Sequence, residues 1–271
     1  MTAPRSIPCS VLVLTRNSAA TIGRCLHNLA PFGEILVHDA NSTDDTQAIA
    51  KSFGAKILKQ EDTDEPAVRI KNFTDMRFKQ RDAAAFDWVL YLDSDEELSD
   101  GLVEEIGRIL PHADVKTIVK VRRLPVIDGR VRKYGLRTPE IVPRIHHRRS
   151  GCTFKTGKVV HEKYVYDESF TEVLCKEPLL FPLPAFSDLL AKDDGYVAMD
   201  TAKRREAGIR FGWYLRWVLL REPLLLLSLL FRMVVRLPLY LRRDSVPFAY
   251  DWRYVRYHWK LLKAMTTAMF A

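Results

Sequence analysis

Four strand-length apolar runs in the first hundred residues, at 10–14, 34–38, 55–58 and 88–92, constrain the fold more than any other feature. The segments between them carry a different period. Ile22, Cys25, Leu26 and Leu29 recur at helical spacing, with Thr21 placed to cap them. Asp44 or Asp45 can cap a second helix carrying Ile49, Ala50 and Phe53, which Gly54 stops. The pattern predicts a third helix over 67–81. Strands joined by helices of this length pair in parallel through right-handed crossovers. The expected class is therefore α/β, an open, mostly parallel sheet with flanking helices. Ligands bind such sheets beyond the carboxyl ends of the strands. Three polar clusters fall there: Thr15-Arg16-Asn17, Asp39-Ala40-Asn41-Ser42 and Asp93-Ser94-Asp95.

After residue 110 the pattern changes. A strand is expected at 115–121, turns at Asp128-Gly129 and Ser150-Gly151, and further short strands at 139–145, 158–165 and 178–183. Helices are expected from 187 onward. The organisation reads as a ligand-binding half (1–120), an acceptor-binding part (121–186) and a C-terminal helical region (187–271).

That last region carries the charge. Residues 201–271 hold fourteen Lys/Arg against four Asp/Glu, a local +10 in a chain whose net charge is +8. The first two hundred residues are therefore close to neutral, and the basic region is suited to an anionic surface. Residues 217–240 are intensely apolar but interrupted by Arg221, Glu222, Pro223, Arg232, Arg236 and Pro238. Such runs are too short to span a bilayer and suit amphipathic helices lying in its interface. A helical bundle packed on the catalytic domain is the bland alternative. The apolar run near the N-terminus is too short for a signal-peptide core, and the four scattered cysteines form no CxxC pair. No export signal, zinc cluster or disulfide framework is expected.

A D-x-D pair after a buried strand offers hard oxygen ligands suited to Mg²⁺ or Mn²⁺, which keep coordination sites for substrate phosphates. Alone, such a pair is also what a solvated acidic loop looks like. Its place beside the Thr15 and Asp39 clusters strengthens the metal reading.

The segments VLVLTRN, EILVHDANSTDDT, AKSFGAKIL, RIKNFTDM and DWVLYLDSDEEL together resemble family-2 glycosyltransferases of the nucleotide-diphosphosugar transferase fold. Within that family they are similar to small bacterial enzymes that glycosylate lipopolysaccharide core. The resemblance covers residues 7–110 and continues through Val160-His161-Glu162 into the basic, Leu-rich tail. It implies that Thr15 and Asn17 line a nucleotide pocket and that Asp39 reads the base, with Asn41 and Ser42 shaping the loop. Lys71 and Asn72 would hold the nucleotide or its phosphates. Asp93, with Ser94 beside it, would approach ribose or metal, and Asp95 would ligate the metal.

The resemblance further implies inverting, direct displacement of a nucleoside diphosphate by an acceptor hydroxyl. Glu162 is then the candidate base, and His161 its orienting neighbour or substitute. The competing readings are a half-buried strand histidine and a surface charge. Arg144 and the His146-His147-Arg148-Arg149 cluster would bind phosphate, or form a solvated turn. Adjacent histidines on a strand face opposite sides and make poor metal geometry. One departure stands out: Leu180-Phe181-Pro182 occupies the strand where a histidine is expected to assist metal or diphosphate binding.

The expected partners are a nucleotide-sugar donor, UDP-linked first, a lipid-linked or glycan acceptor, and a membrane surface. The expected location is the cytoplasmic side of the inner membrane, peripheral or monotopic. No nucleic-acid partner is expected, because the cations are interleaved with Leu runs that phosphate tracking does not need. Dinucleotide and P-loop enzymes are excluded by the absence of G-x-G-x-x-G after the first strand and of any GKS or GKT. A polyprenyl-phosphate sugar synthase and a non-catalytic membrane scaffold remain as rival readings.

Overall fold

The computed structural model describes residues 7–68, 70, 72–155 and 164–270. The chain forms two compact units, one comprising Met1–Leu124 with Glu140–Phe181, the other Pro125–Pro139 with Pro182–Ala271.

In the first unit, β1 (Ile7–Thr15) is buried along nearly its whole length, as a strand covered on both faces must be. There follow α1 (Ala19–Leu26), β2 (Phe32–Asp39), α2 (Thr46–Ser52), β3 (Lys56–Lys59), α3 (Phe73–Ala83) and β4 (Trp88–Asp93). β1 pairs in parallel with β2 and β4, and β2 with β3. After β5 (Glu97–Leu98) and α4 (Asp100–Ile109) come β6 (Thr117–Ile127), β7 (Arg130–Val131), β8 (Glu140–His147), β9 (Thr153–Phe154), β10 (Tyr164–Val165) and β11 (Thr171–Pro182). The sheet runs β3-β2-β1-β4-β8-β6-β11-β5, with β8 antiparallel to both β4 and β6. The expected open α/β sheet is therefore present, its parallel strands extended by antiparallel ones.

Alternation along the strands makes two cores. Val11, Val13, Leu90 and Leu92 pack with Ile22, Leu102 and Ile106 on one face, and Leu12, Leu36, Val89 and Tyr91 pack on the other.

Several boundaries differ from expectation, each for a local reason. The third helix starts at Phe73 rather than 67. Ala67 has φ +48°, and the N–H groups of Ala67 and Val68 donate to Asn41 O (2.9 Å) and Ala40 O (3.0 Å), which ties this stretch to the end of β2. The cap position of α1 is Ser18, not Thr21. Asp44 rather than Asp45 bonds at the second helix start, accepting from Thr46 N at 3.1 Å and, across the loop, from Ala19 N at 3.0 Å. β6 begins at Thr117, leaving Val115 exposed, and β11 is longer than 178–183. Within 158–165, residues 158–163 lie outside the described residues.

Two buried histidines give the fold a pH signature. His38 on β2 and His146 on β8 are each 1% exposed. Neither ring nitrogen of either has a hydrogen-bond partner among the described residues. Burial, with Lys79 nearby, pushes His38 down to about 4. Burial, with Arg81 and His147 nearby, pushes His146 down to about 3. Each is neutral in the fold but protonates near 6.5 once unfolded, so stability is lost as pH falls below about 6.5. Denaturant midpoints should therefore show about 2 kcal/mol less stability at pH 5 than at pH 6. His146→Phe should roughly halve that slope, and an unchanged slope would show that the ring does not titrate as described.

In the second unit, Asp128 (φ +51°) and Gly129 (φ +70°) make the two-residue turn between the end of β6 and β7. Four helices follow: α5 (Phe186–Glu206), the short α6 (Phe211–Tyr214), α7 (Glu222–Val235) and α8 (Phe248–Phe270), with a π-helical stretch, Leu215–Arg221, between α6 and α7. Leu136, Leu229, Met233 and Val255 form one apolar cluster, and Tyr214, Val218 and Met265 another. α5 and α8 are joined by Asp193–Arg253 (2.7 Å), Asp194–Arg256 (2.9 Å) and Asp194–Lys260 (2.9 Å). Among the described residues, no helix is long and apolar enough to cross a membrane.

Candidate functional site

Strand register brings the three polar clusters to one edge of the sheet. Thr15 lies opposite Asp39, and Leu14 opposite Asp93. Asp39 is 2% exposed and accepts four hydrogen bonds: Thr15 Oγ1 (2.9 Å), Ser42 N (2.8 Å), Ser42 Oγ (2.6 Å) and Gln47 Nε2 (2.7 Å). That saturates a carboxylate, so reading a base would require Asp39 to exchange one of these donors. Gln60 Nε2 donates to Thr15 O (2.9 Å) and His38 O (2.8 Å), joining the ends of β1 and β2 from beneath.

The rim above is built by two asparagines in the left-handed region, which Asn tolerates better than most residues. Asn17 (φ +48°) donates its N–H to Ser42 Oγ at 2.8 Å and accepts from Thr43 N at 2.9 Å. Asn41 (φ +55°) donates through Nδ2 to Thr63 O (2.7 Å) and Glu65 O (2.9 Å). Ser94 Oγ meets Ser18 Oγ at 3.0 Å. Asn72 is the cap of α3: its Oδ1 accepts from Thr74 N (3.0 Å) and its Nδ2 donates to Asp75 (2.7 Å). Its side chain is therefore used by the helix start. Lys71, His161 and Glu162 lie outside the described residues.

The acidic motif divides into two kinds of carboxylate. Asp93 faces guanidinium groups, with Arg77 at 3.1 Å and Arg144 at 3.5 Å. Burial opposes its charge, but Arg144 and Arg77 outweigh it and hold the carboxyl at about 2. Glu96, 1% exposed, accepts from Asp93 N (3.1 Å), from Arg123 Nε (2.6 Å) and from Arg144. Arg123 in turn covers the Phe181 ring, its guanidinium carbon 4.0 Å from the centroid. At the position where a histidine is expected, an aromatic face thus supports a half-buried arginine. Asp95 is exposed and has no hydrogen-bond or ion-pair partner among the described residues. No group of three or more metal-ligating side chains is found among them.

Arg77, Glu96, Arg123, Gln47 and Gln60 are members of this network that motif reading missed. A signal existed for Arg77: it falls with Thr74 and Gln80 on the inward face of α3, where polar residues need partners. Arg144, singled out for phosphate, instead holds Glu96 and Asp93. His146 and His147, expected with it in a phosphate cluster, separate onto opposite faces of β8. His146 stacks on Tyr91 (5.6 Å between centroids), and His147 lies 3.7 Å from Asp87.

The family description glycosyl transferase family 2 matches residues 10–168. An uncharacterised glycosyltransferase of Rickettsia felis is 37% identical over 101 residues, 37% of this chain and 33% of that protein. The matched part thus spans about a third of that relative's length. The lipopolysaccharide core biosynthesis glycosyltransferase LpsC of Rhizobium meliloti is 24% identical over 230 residues, 83% of this chain and 82% of that protein. Among solved structures, S. aureus TarS 1–349 in complex with UDP is similar with TM-score 0.48 at 16% identity, covering 96% of this chain and 90% of that one. Glucosyl-3-phosphoglycerate synthase from Mycobacterium tuberculosis, in complex with Mn²⁺, UDP and glucosyl-3-phosphoglycerate, gives TM-score 0.33 at 23% identity over 45% of this chain and 44% of that one. With more than half of its residues matched by the family, and with the sheet and strand-end clusters that its motifs anticipate, the chain belongs to glycosyl transferase family 2.

Proposed function

We propose that the chain is an inverting glycosyltransferase that moves a sugar from a nucleoside-diphosphate donor to a hydroxyl of a membrane-bound glycolipid or polysaccharide precursor. One observation carries this reading: Thr15, Asp39 and Asp93 end neighbouring parallel strands in a chain of this family. The 24% identity to LpsC over most of both chains supports an acceptor of the lipopolysaccharide-core class.

In this reading the donor base and ribose lie over the Thr15, Asp39 and Asn17 loops, and the diphosphate lies toward Asp93 and Asp95. The residues fit a divalent cation, Mg²⁺ or Mn²⁺. Asp95 offers one unengaged hard-oxygen ligand, and such ions take few carboxylates when substrate phosphates complete their shell. A bound ion would neutralise the charge developing on the departing diphosphate. Asp93, ion-paired with Arg77 and Arg144, would fix the loop and bond ribose rather than serve as the main metal ligand. Glu162 is proposed as the base that takes the acceptor proton, with His161 beside it.

The test is a panel of nucleotide-sugars, UDP-linked first, followed by thermal unfolding and by release of nucleoside diphosphate with and without Mg²⁺ or Mn²⁺. One donor should raise the midpoint and turn over. Absence of stabilisation by every donor would sink the reading.

The second unit is proposed to hold the enzyme at the cytoplasmic face of the plasma membrane. Leu224, Leu227, Phe231 and Val234 recur along one stripe of α7 and are each at least 62% exposed; Leu241 beyond it is 89% exposed. Apolar stripes of this kind flanked by arginines belong in a lipid interface. Cation–aromatic stacks such as Arg221 on Trp217 (4.7 Å) and Arg204 on Trp213 (4.5 Å) suit the headgroup boundary. The double variant Leu224→Glu/Phe231→Glu should lose sedimentation with anionic vesicles. Retained sedimentation would show that this stripe is not the contact.

A further inference from the structure

The ion pairs joining α5 to α8 run in step along the two helices and end at Asp194–Lys260. Beyond that point small side chains face one another, and the helices leave an open groove of about 760 Å³, in the size range of a small-molecule site. Its floor is Val197, Ala198, Ala202, Ala264 and Ala268. The Thr201 hydroxyl is already used, donating to Val197 O at 2.7 Å. An extended peptide would find few backbone partners there. The rim is cationic. Lys260 is neutralised by Asp194, but neither Arg205 nor Lys263 has a carboxylate partner among the described residues, and the Lys263 ammonium lies 5.2 Å from the centroid of the Trp259 ring. An apolar trough with two unneutralised cations at its edge complements an amphiphile with an aliphatic chain and an anionic head.

We propose that this groove holds one anionic phospholipid, its acyl chain along the alanine floor and its phosphate at Arg205 and Lys263. The proposal adds a defined lipid site to the reading that the second unit meets a membrane, and its test can fail separately from that reading. The probe is short-chain phosphatidylglycerol below its micelle-forming concentration, added to the full chain, with short-chain phosphatidylcholine and inorganic phosphate as comparisons. Phosphatidylglycerol should bind saturably and about thirtyfold more tightly than phosphatidylcholine, as two headgroup-contacting cations predict. Inorganic phosphate should compete weakly. Arg205→Glu/Lys263→Glu, at exposed positions, should abolish the preference. Ala264→Trp should abolish binding by filling the groove without changing charge, with circular dichroism checking that the helices remain.

Equal binding of the two lipids, inorganic phosphate binding as tightly as phosphatidylglycerol, or full binding by Ala264→Trp would overturn the proposal. So would a dimer, seen by light scattering, that Ala264→Trp dissociates, because a second copy would then be the occupant. The Leu224→Glu/Phe231→Glu chain should still bind the short-chain lipid. If wild type binds it yet fails to bind vesicles, the membrane reading falls while the groove stands.

Discussion

Arg144→Ala is expected to destabilise the first unit by about 3 kcal/mol, the lower end of the cost of removing one partner from a buried ion pair. Its side chain is 13% exposed and meets Glu96, whose carboxylate is fully buried, and Asp93. Arg123 stays on the same carboxylate at 2.6 Å, which is why the cost falls at the lower end. Urea unfolding of wild type and variant measures it. Adding Glu96→Gln to an Arg144→Met chain should recover part of the loss, since no uncompensated buried charge then remains. The acid limb should move as well. A carboxyl held at about 2 contributes stability that is complete above its unfolded value of about 3.9 and is lost as pH falls through about 2. Without Arg144 the folded Asp93 titrates higher, so the variant should lose this contribution at a higher pH than wild type. An Arg144→Ala chain within about 0.5 kcal/mol of wild type would mean that the guanidinium is held by solvent rather than by these carboxylates.

What the sequence disclosed, and what it withheld, divides by the range of the interaction. The strands at 10–14, 34–38 and 88–92 were legible because continuous apolar runs of that length have few other uses, and β1, β2 and β4 contain them. The gathering of Thr15, Asp39 and Asp93 followed from parallel connectivity alone. The third helix starts six residues later than its periodicity predicts, because the tie of Ala67 and Val68 to the end of β2 is a tertiary bond with no local signature. For the same reason the roles of Asn72 and Arg144 were legible only in part. Their residue types suit phosphate, but Asn72 is committed to a helix start and Arg144 to Glu96. Glu96 shows the limit most sharply. Within Asp93-Ser94-Asp95-Glu96-Glu97 every acid looks alike, yet Glu96 is 1% exposed while Asp95 is open to solvent. Which carboxylate turns inward depends on Arg123 and Arg144, which arrive from β6 and β8.

That division predicts opposite outcomes for neighbouring acids. Asp95→Ala should lower turnover of the preferred nucleotide-sugar by about 100- to 1000-fold, the usual cost of removing one group that stabilises charge on a leaving oxygen. Its unfolding midpoint should stay within about 0.5 kcal/mol of wild type, because the side chain is exposed and has no partner among the described residues. Metal added together with nucleoside diphosphate should raise the thermal midpoint of wild type and leave that of Asp95→Ala unmoved. Asp93→Asn should behave differently. It breaks the pairs with Arg77 and Arg144, so stability and turnover should fall together, and excess metal should restore neither. Wild-type turnover by Asp95→Ala would remove the exposed carboxylate from the chemistry and leave diphosphate neutralisation to the arginines. A stability loss in Asp95→Ala equal to that of Asp93→Asn would instead mean that the motif is a structural loop, with both acids holding the end of β4 and neither reserved for the donor.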